Sequence, residues 1–370
     1  MDVNFHKVPG SSSSGLEEHK CCEYTGRGWI YAPCFLALGV SGLLFVENLL
    51  RSLMANQSWV TEYYLQGFSG LPGQYNAITA FIFFLVYMMS LCVNSTVIYL
   101  IAMKENLHQP MYILMGFLSL SDLTSDTATL PKVIARYWFD SGSIAFSACF
   151  LQMFVFHFLN ILDSMIILLM SFDRYIAICK PLQYRAIITP KVLFILCFIA
   201  ILFAASIGLY CIIHGLLLSY CGPNRIKNLF CAVVYVAVLS CKDTYATRQN
   251  LFYVTFNIHL IALVLIVLSY VIIISKLSKT GQSVTWKKAV YTCSSHWFVI
   301  ALYFIPRLVV YGYNQNQLIP NVDLNILLVC LYTYVPHFSS PVIFCFTTKE
   351  VKRVMKKVFK NYICVNKRKS

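Results

Sequence analysis

An acidic and a basic side chain stand next to each other where a long apolar stretch of the sequence ends. They are Asp173 and Arg174, and Tyr175 follows them. Opposite charges at this distance can hold each other until a conformational change or a partner separates them. Because the residues before them are apolar over the length of a bilayer, we expect the pair where a membrane-spanning helix meets the cytoplasm. The pair can therefore act as a switch.

Two other acids, Asp122 and Asp163, lie inside apolar segments. A charge at bilayer depth costs at least about 2.5–3.5 kcal/mol, so both should face the interior of a helix bundle and have a partner. With Asn94 and Ser340 nearby, they could bind one sodium ion, so that the two carboxylates are its metal ligands, or share one proton. The alternative is that one carboxyl group is neutral and only hydrogen-bonded. We expect no other cofactor.

Seven apolar segments after residue 75 are long enough to position these residues across a membrane. The chain is 58% hydrophobic and only 12% charged, against about 25% in a soluble domain, so much of its surface should face lipid. Runs of about 20 apolar residues without strand-like alternation predict spanning helices. The predicted segments are Ala77–Ile101, Met111–Pro131, Ala148–Ser171, Val192–Ile213, Leu251–Ile274, Ala289–Tyr313 and Val322–Phe346.

The basic residues are divided unequally between the two sides of these segments. If the first segment ends in the cytoplasm, that side holds 18 of the 29 Lys and Arg residues and the opposite side of the seven-segment region holds seven. Short cytoplasmic loops are the ones enriched in Lys and Arg. We therefore expect the amino end of the first segment outside and the carboxyl tail inside. This segregation also argues against nucleic acid as the reason for the net charge of +14.

The first 53 residues fit this arrangement poorly. Trp29–Leu50 is apolar over 22 residues and could be a signal anchor, a signal peptide, an eighth span or an extension absent from the working protein. We expect four regions: this extension, an extracellular segment at 54–76, the seven-helix body at 77–346 and a cytoplasmic tail at 347–370. Asn56, in Asn-Gln-Ser, is the credible glycosylation site.

Three strings of the sequence together indicate a family. They are MSFDRYIAICKPLQY from Met170, KAVYTCSSH from Lys288 and PVIFCFTTKEV from Pro341. They resemble the odorant receptors among the rhodopsin-like G-protein-coupled receptors. A proline at the position of Pro306 is similar to the pattern of the fish branch of that family. The resemblance covers about residues 56–362. It implies an all-α bundle of seven transmembrane helices followed by a short amphipathic helix, and it gives Asp173, Arg174 and Tyr175 the role of the G-protein switch.

Four cysteines fall where the outer loops should be: Cys149, Cys221, Cys231 and Cys241. Outer loops meet an oxidising compartment, where disulfides persist. Four cysteines allow three connectivities. The family resemblance implies the pairs Cys149–Cys231 and Cys221–Cys241.

A ligand site is implied between helices 3, 5, 6 and 7. Arg307 stands out as a charge in an apolar helix, and three interpretations remain open. It could bind a carboxylate or sulfate of the ligand, extend to the outer interface or pair with Asp323. The candidate ligand-binding residues are Phe156, His157, Asn160, Ile161, Phe304, Arg307, Leu308, Tyr311 and Tyr334.

The last helix departs from the family pattern at two positions. Ser340 replaces the asparagine and Phe344 replaces the tyrosine of the Asn-Pro-x-x-Tyr motif. The hypothesis is that the missing hydroxyl lowers basal activity or weakens coupling. Beyond this helix, Lys349–Lys360 alternates apolar residues with lysines, a pattern typical of an amphipathic helix on an anionic lipid surface.

Three classes of function compete. The first is an odorant receptor of the plasma membrane that activates a stimulatory G protein and raises cyclic AMP. The second is a rhodopsin-like receptor for a peptide, lipid or metabolite outside the nose. The third, a transporter or channel, would need inverted repeats or rings of pore charges, and the sequence shows neither. We expect no enzymatic activity, because no nucleophile–base pair stands out.

Overall fold

The computed structural model describes residues 60–221, 224–279, 283–315, 321–348 and 351–353. For residues 283–293, 295, 314 and 315 it describes the backbone only. The predicted extension at 1–53, the glycosylation site at Asn56 and most of the amphipathic segment Lys349–Lys360 lie outside the described residues.

Seven long helices make up most of the described chain. Six of them are long and apolar enough to cross a membrane by length and composition. The second helix is the exception, because it carries acidic and basic residues among its apolar ones. The helices are α1 (Asn76–Met103), α2 (Pro110–Phe139), α3 (Phe146–Cys179), α4 (Pro190–Leu216), α5 (Tyr245–Lys279), α6 (Ser283–Gln315) and α7 (Val322–Thr347).

Most helices extend beyond the segments that the sequence predicts. Helix α2 continues past Pro131 to Phe139, because a proline in a packed spanning helix removes one backbone hydrogen bond without ending the helix. Helix α3 continues past Ser171 to Cys179. The residues Asp173 to Tyr175 therefore lie within the last two turns of α3 and not beyond its end.

Helix α3 forms the centre of the bundle. It packs against α2, α4, α5 and α6, whereas α1 packs mainly against α2 and α7. In the most apolar window of α3 67% of the residues are buried, against 17% in α1. The exposed side chains of α1, α4 and α5 include many large apolar residues, which is the expected surface where helices face lipid.

A small sheet closes one end of the bundle. Strand β1 (Glu62–Leu65) pairs antiparallel with β2 (Ser143–Ala145) and parallel with β3 (Arg225–Ile226). The sheet thus joins the segment before α1, the α2–α3 connection and the α4–α5 connection. All three lie on one face of the bundle, as alternating helix directions require.

The α4–α5 connection is fixed to this face by disulfides. Cys149, in the first turn of α3, is bonded to Cys231, and Cys221 is bonded to Cys241. This is the pairing that the family resemblance implies. Gln152 adds a polar tie, because its amide nitrogen donates to the Ala128 carbonyl at 2.8 Å and its amide oxygen accepts from the Cys231 N–H at 2.9 Å.

Candidate ligand, ion and switch sites

The acids of the apolar helices meet in one buried cluster between α2, α3, α6 and α7. Asp122 is fully buried, and the Tyr303 hydroxyl donates to its two oxygens at 2.6 and 2.7 Å. The Ser340 hydroxyl lies 3.4 Å from Asp122 Oδ2. Asp163 is also buried, and its Oδ1 has no hydrogen-bond partner among the described residues. Both acids therefore face the interior of the bundle, as the sequence predicts.

Three members of this acid cluster are absent from the sequence prediction: Tyr303, His337 and Asp126. The His337 Nε2 lies 3.6 Å from Asp122 Oδ1, and its Nδ1 lies 2.7 Å from Asp126 Oδ1. The other Asp126 oxygen accepts from the Ser90 hydroxyl. His337 is hydrogen-bonded to Asp126 and lies at ion-pair distance from Asp122, so its imidazole is placed between two carboxylates. Asp126 could have been found, because it lies one turn after Asp122 on the same helix face.

Asn94 lies beside this cluster without bonding to Asp122 or Asp163. Its amide nitrogen donates to the Ser90 carbonyl and hydroxyl, at 3.0 and 3.1 Å, and to the His337 carbonyl at 3.0 Å. It therefore ties α1 to α7, and its link to the acids runs through Ser90.

The cluster offers atoms that suit a cation. One ligand atom from each of Asp122, Asp163 and His337 lies within 4.8 Å of the other two. Carboxylate and hydroxyl oxygens are the hard ligands that sodium prefers, so Asp122, Asp163 and Ser340 fit that ion. The Tyr303 and His337 contacts with Asp122 compete for the same oxygens.

A second buried group, of opposite charge, lies one turn farther along α6. Arg307 is only 1% exposed, and its Nη1 lies 3.1 Å from Nε2 of His259 on α5. Its guanidinium carbon is 5.6 Å from the ring centre of Tyr332 on α7. The His259 ring is 6.0 Å from that of Tyr311. We call these four residues the Arg307 cluster.

Two of the three interpretations of Arg307 are wrong. Its burial excludes a side chain that extends to the outer interface. Asp323 is not its partner, because that carboxylate accepts the backbone N–H groups of Ser69 and Gly70, each at 2.7 Å. Asp323 instead fastens the segment before α1 to the start of α7.

The other predicted pocket residues fall into three groups. Phe304 and Ile161 are buried, with the Phe304 ring 6.5 Å from that of His259 on α5, and Leu308 is half-buried. Three residues of α3 face the outer connection or their own helix: the Phe156 ring is 4.6 Å from Phe230, His157 Nε2 accepts from Val233 N–H at 3.5 Å, and Asn160 donates to the Phe156 carbonyl at 2.8 Å.

Tyr334 differs from the other predicted pocket residues. Its hydroxyl donates to Thr129 on α2 at 3.2 Å, and its ring is 6.5 Å from Phe83 on α1. Tyr332, and not Tyr334, contacts Arg307. Two residues correspond to about 200° on a helix, so the two rings point to different faces of α7.

The inner end of α3 carries the predicted switch. Asp173 is buried and accepts a hydrogen bond from the Tyr184 hydroxyl at 2.6 Å. Burial and the bond to Asp173 raise the pKa of Tyr184, so its hydroxyl stays protonated and can donate. Asp173 and Arg174 are both described, and they form no close ion pair. The hydrogen bond to the Asp173 carboxylate comes from Tyr184, and the hold between Asp173 and Arg174 stays a prediction.

Arg174 and Tyr175 are half-buried beside Asp173. The Arg174 Nε has no hydrogen-bond partner among the described residues. The His296 Nδ1 is hydrogen-bonded to the Tyr270 hydroxyl of α5. This bond joins α5 and α6 at the end of the bundle where α3 carries Arg174.

A bundle of seven long helices, with an arginine near the carboxyl end of the central one and a disulfide-tied connection at the opposite face, is the architecture of a seven-transmembrane receptor. Comparisons with known proteins specify the family. A family model described as olfactory receptor matches residues 83–362. The human olfactory receptors 56A5 and 4K3 are each 35% identical, over 73% and 82% of this chain and 86% and 95% of their own lengths. Human olfactory receptor 12D1 is 31% identical over 84% of this chain and 96% of its own length.

The chain belongs to the olfactory receptor family. It is therefore a multi-pass protein of the plasma membrane that responds to odorants and couples to G proteins, and it is not an enzyme. The expected family and fold class are confirmed.

Proposed function

We propose that this receptor binds a small molecule between α3, α5, α6 and α7 and activates a stimulatory G protein, which raises cyclic AMP. The observation that carries the proposal is the course of α6. This helix holds Arg307 against His259 in the outer part of the bundle and His296 against Tyr270 at the inner end. A ligand that moves the outer contacts can therefore change the inner ones through a continuous helix. Pro306 lies inside α6 next to Arg307 and removes one backbone hydrogen bond, so the helix can bend there.

The switch works through competition for Asp173 and Arg174. In the described state Tyr184 is hydrogen-bonded to Asp173, and the Arg174 Nε has no hydrogen-bond partner among the described residues. Outward movement of the inner end of α6 would uncover Arg174 for the tail of a G protein. This step uses Asp173, Arg174 and Tyr175 in the roles that the family resemblance implies.

The acid cluster would bind sodium or a proton in the same receptor. Asp122 and Asp163 would supply carboxylate oxygens and Ser340 a hydroxyl, and the ion would neutralise like charges that repel each other in the bundle. Asn94 would hold α1 and α7 beside this site through Ser90 and His337.

The amino end of α1 is placed outside the cell and the tail inside. The excess of Lys and Arg on the α1–α2, α3–α4, α5–α6 and tail side supports this orientation. The disulfides lie at the opposite face, where an oxidising compartment favours them. In this orientation Asn56 is an extracellular glycosylation site, residues 1–53 precede the receptor as an extension, and Lys349–Lys360 meets the lipid headgroups.

The test is cyclic AMP accumulation in cells that express the full chain, beside Arg174→Ala, with surface level measured for both. The panel contains amino acids, bile salts, steroids and small volatiles. We expect at least one compound to raise cyclic AMP in the wild type and not in the variant. A compound that binds the receptor but leaves cyclic AMP unchanged would contradict coupling to a stimulatory G protein. Expression of Met54–Ser370 with an unchanged response would support residues 1–53 as dispensable.

A further inference from the structure

The guanidinium of Arg307 has two donor groups that nothing in the described chain accepts. Its Nη1 is bonded to His259, but Nε and Nη2 have no hydrogen-bond partner among the described residues. The side chain is 1% exposed, so these two N–H groups do not face bulk water. Buried donors without partners are rare in folded proteins and need a physical explanation.

His259 does not cancel the charge of Arg307. The His259 Nδ1 lies 2.7 Å from the Thr255 carbonyl, which can only accept, so the Nδ1 carries the proton. Its Nε2 then offers a lone pair to Arg307, which is the arrangement of a neutral imidazole. The Tyr332 ring adds a cation–π contact at 5.6 Å, and this contact compensates the charge only in part.

No acidic side chain in the described ranges forms an ion pair with Arg307. The nearest candidate by sequence, Asp323, binds Ser69 and Gly70. Asp163 forms no ion pair with Arg307 within the described chain, and it belongs to the acid cluster with Asp122. An isolated buried charge is costly unless it is paired. The Arg307 cluster therefore contains one positive charge and no adjacent anion.

The two unpartnered donors share one edge of the guanidinium plane. Nε–H and one Nη2–H point the same way and form the parallel fork that binds both oxygens of a carboxylate or two oxygens of a sulfate. We propose that the ligand of this receptor carries such an anionic group and that the Nε–Nη2 edge of Arg307 binds it. The inference rests on the proposed site between α3, α5, α6 and α7.

The rest of the ligand should be apolar or aromatic. Phe304 and Tyr311 lie one turn before and one turn after Arg307 on α6, and their rings are 6.5 and 6.0 Å from that of His259. Apolar walls around a few convergent polar groups are the usual composition of a small-molecule site. A small organic anion with a hydrophobic body fits this surface better than an uncharged volatile.

The experiment measures binding directly, by the melting temperature of the purified full chain in detergent. Each anion is paired with an uncharged relative of the same skeleton: 3-phenylpropanoate with 3-phenylpropanamide, and estrone sulfate with estrone. A ligand that binds only the folded state raises the melting temperature. We expect at least one anion to raise it while its uncharged relative does not. Equal shifts for both members of every pair, or no shift with any anion, would overturn the proposal.

Variants assign the effect to the guanidinium edge. Arg307→Lys keeps the charge but lacks the forked pair of donors. We expect it to weaken the binding of the anion at least tenfold. Arg307→Gln removes the charge, and we expect it to abolish the anion-specific shift. Arg225→Gln, an exposed arginine of β3, is the matched control and should leave the shift unchanged. An unchanged anion preference in Arg307→Lys and Arg307→Gln would contradict the proposal. If Arg307→Gln does not fold, the lysine variant and the paired ligands still decide the question.

The binding readout separates this inference from the proposed function. An anion-specific shift without a cyclic AMP response would leave the inference standing and contradict the stimulatory coupling. A cyclic AMP response to uncharged compounds only, without an anion-specific shift, would do the reverse.

Discussion

The receptor core contains two buried charged groups one helical turn apart on α6, and they are built in opposite ways. Tyr303 reaches the acid cluster, and four residues later Arg307 reaches His259 and Tyr332. The acid cluster has three carboxylates, and its Asp122 and Asp126 are bonded by groups from α1, α6 and α7. The Arg307 cluster has one cation, no acid beside it and two unpartnered donors.

The difference indicates which group is structural and which is left for a ligand. Where donors and acceptors satisfy each other, breaking one contact leaves a buried charge uncompensated, and the cost appears as lost stability. Where buried donors have no acceptor, the cost of removing them from water is already included in the stability of the folded protein. A ligand of opposite charge should therefore bind there. Four of the predictions that follow test the acid cluster against this contrast, and a fifth concerns coupling at the end of α7.

The largest effect should follow from removing the cation of the acid cluster. His337→Leu leaves Asp122, Asp126 and Asp163 without their imidazole, and we expect the free energy of unfolding to fall by about 3–5 kcal/mol. Thermal unfolding of the purified full chain measures it. The control is His214→Leu on α4, a half-buried histidine bonded to one backbone carbonyl, which should lose about 1 kcal/mol. Equal losses in the two variants would mean that His337 does not hold the acids.

The acids themselves should respond unequally. Asp126 uses both oxygens, toward His337 and Ser90, and an asparagine cannot accept at both positions. Asp126→Asn should therefore cost about 1.5–3 kcal/mol. Asp163 has an unpartnered oxygen and adds like charge, so Asp163→Asn should leave stability unchanged or raise it.

The same pair of variants tests the ion. The melting temperature of the wild type should be higher in sodium chloride than in choline chloride, and Asp163→Asn should lose this difference. A wild-type melting temperature that does not depend on sodium would favour the alternative that the acid cluster shares a proton and binds no sodium ion. Equal destabilisation by Asp126→Asn and Asp163→Asn would show that the hydrogen bonds of an acid do not decide how much it contributes to stability.

The sequence was sufficient for the helices and for half of the acid cluster. A run of about 20 apolar residues has few structural alternatives in a membrane, and a carboxylate within such a run must turn inward. Asp122 and Asp163 are therefore predictable one at a time. The partners come from other helices, and no local pattern shows that His337 of α7 would meet Asp126 of α2.

The sequence was least informative about rotation and pairing. Arg307 and Asp323 are near each other in the predicted topology, yet Asp323 is taken by the chain before α1. Tyr334 was chosen for the pocket, whereas Tyr332 lies at Arg307. A choice between these tyrosines depends on the rotation of α7 within the bundle. That rotation is set by packing against α1, α2 and α6 and not by the local sequence.

A smaller loss of stability should follow from removing the Tyr303 hydroxyl, which α6 contributes to the acid cluster. Tyr303→Phe deletes the donor shared by the two Asp122 oxygens. Ser340 and His337 remain at 3.4 and 3.6 Å, so the loss should be about 1.5 kcal/mol. Tyr313→Phe, an exposed position on the same helix, is the control and should change nothing. Because Arg307 makes no contact with Asp122, the anion-specific binding shift should survive in Tyr303→Phe, and its disappearance would show that the two groups are one site.

The smallest effect concerns coupling at the inner end of α7, one turn beyond Ser340. Phe344 is buried in the inner apolar core, where the family pattern has a tyrosine. Phe344→Tyr restores a hydroxyl, and we expect a modest rise in basal cyclic AMP per receptor at the surface. The cost of burying that hydroxyl should be about 1 kcal/mol. Phe346→Tyr, on the exposed face of the same helix, should leave basal signalling as it is. Unchanged basal and stimulated signalling in Phe344→Tyr would show that this departure from the motif does not limit coupling.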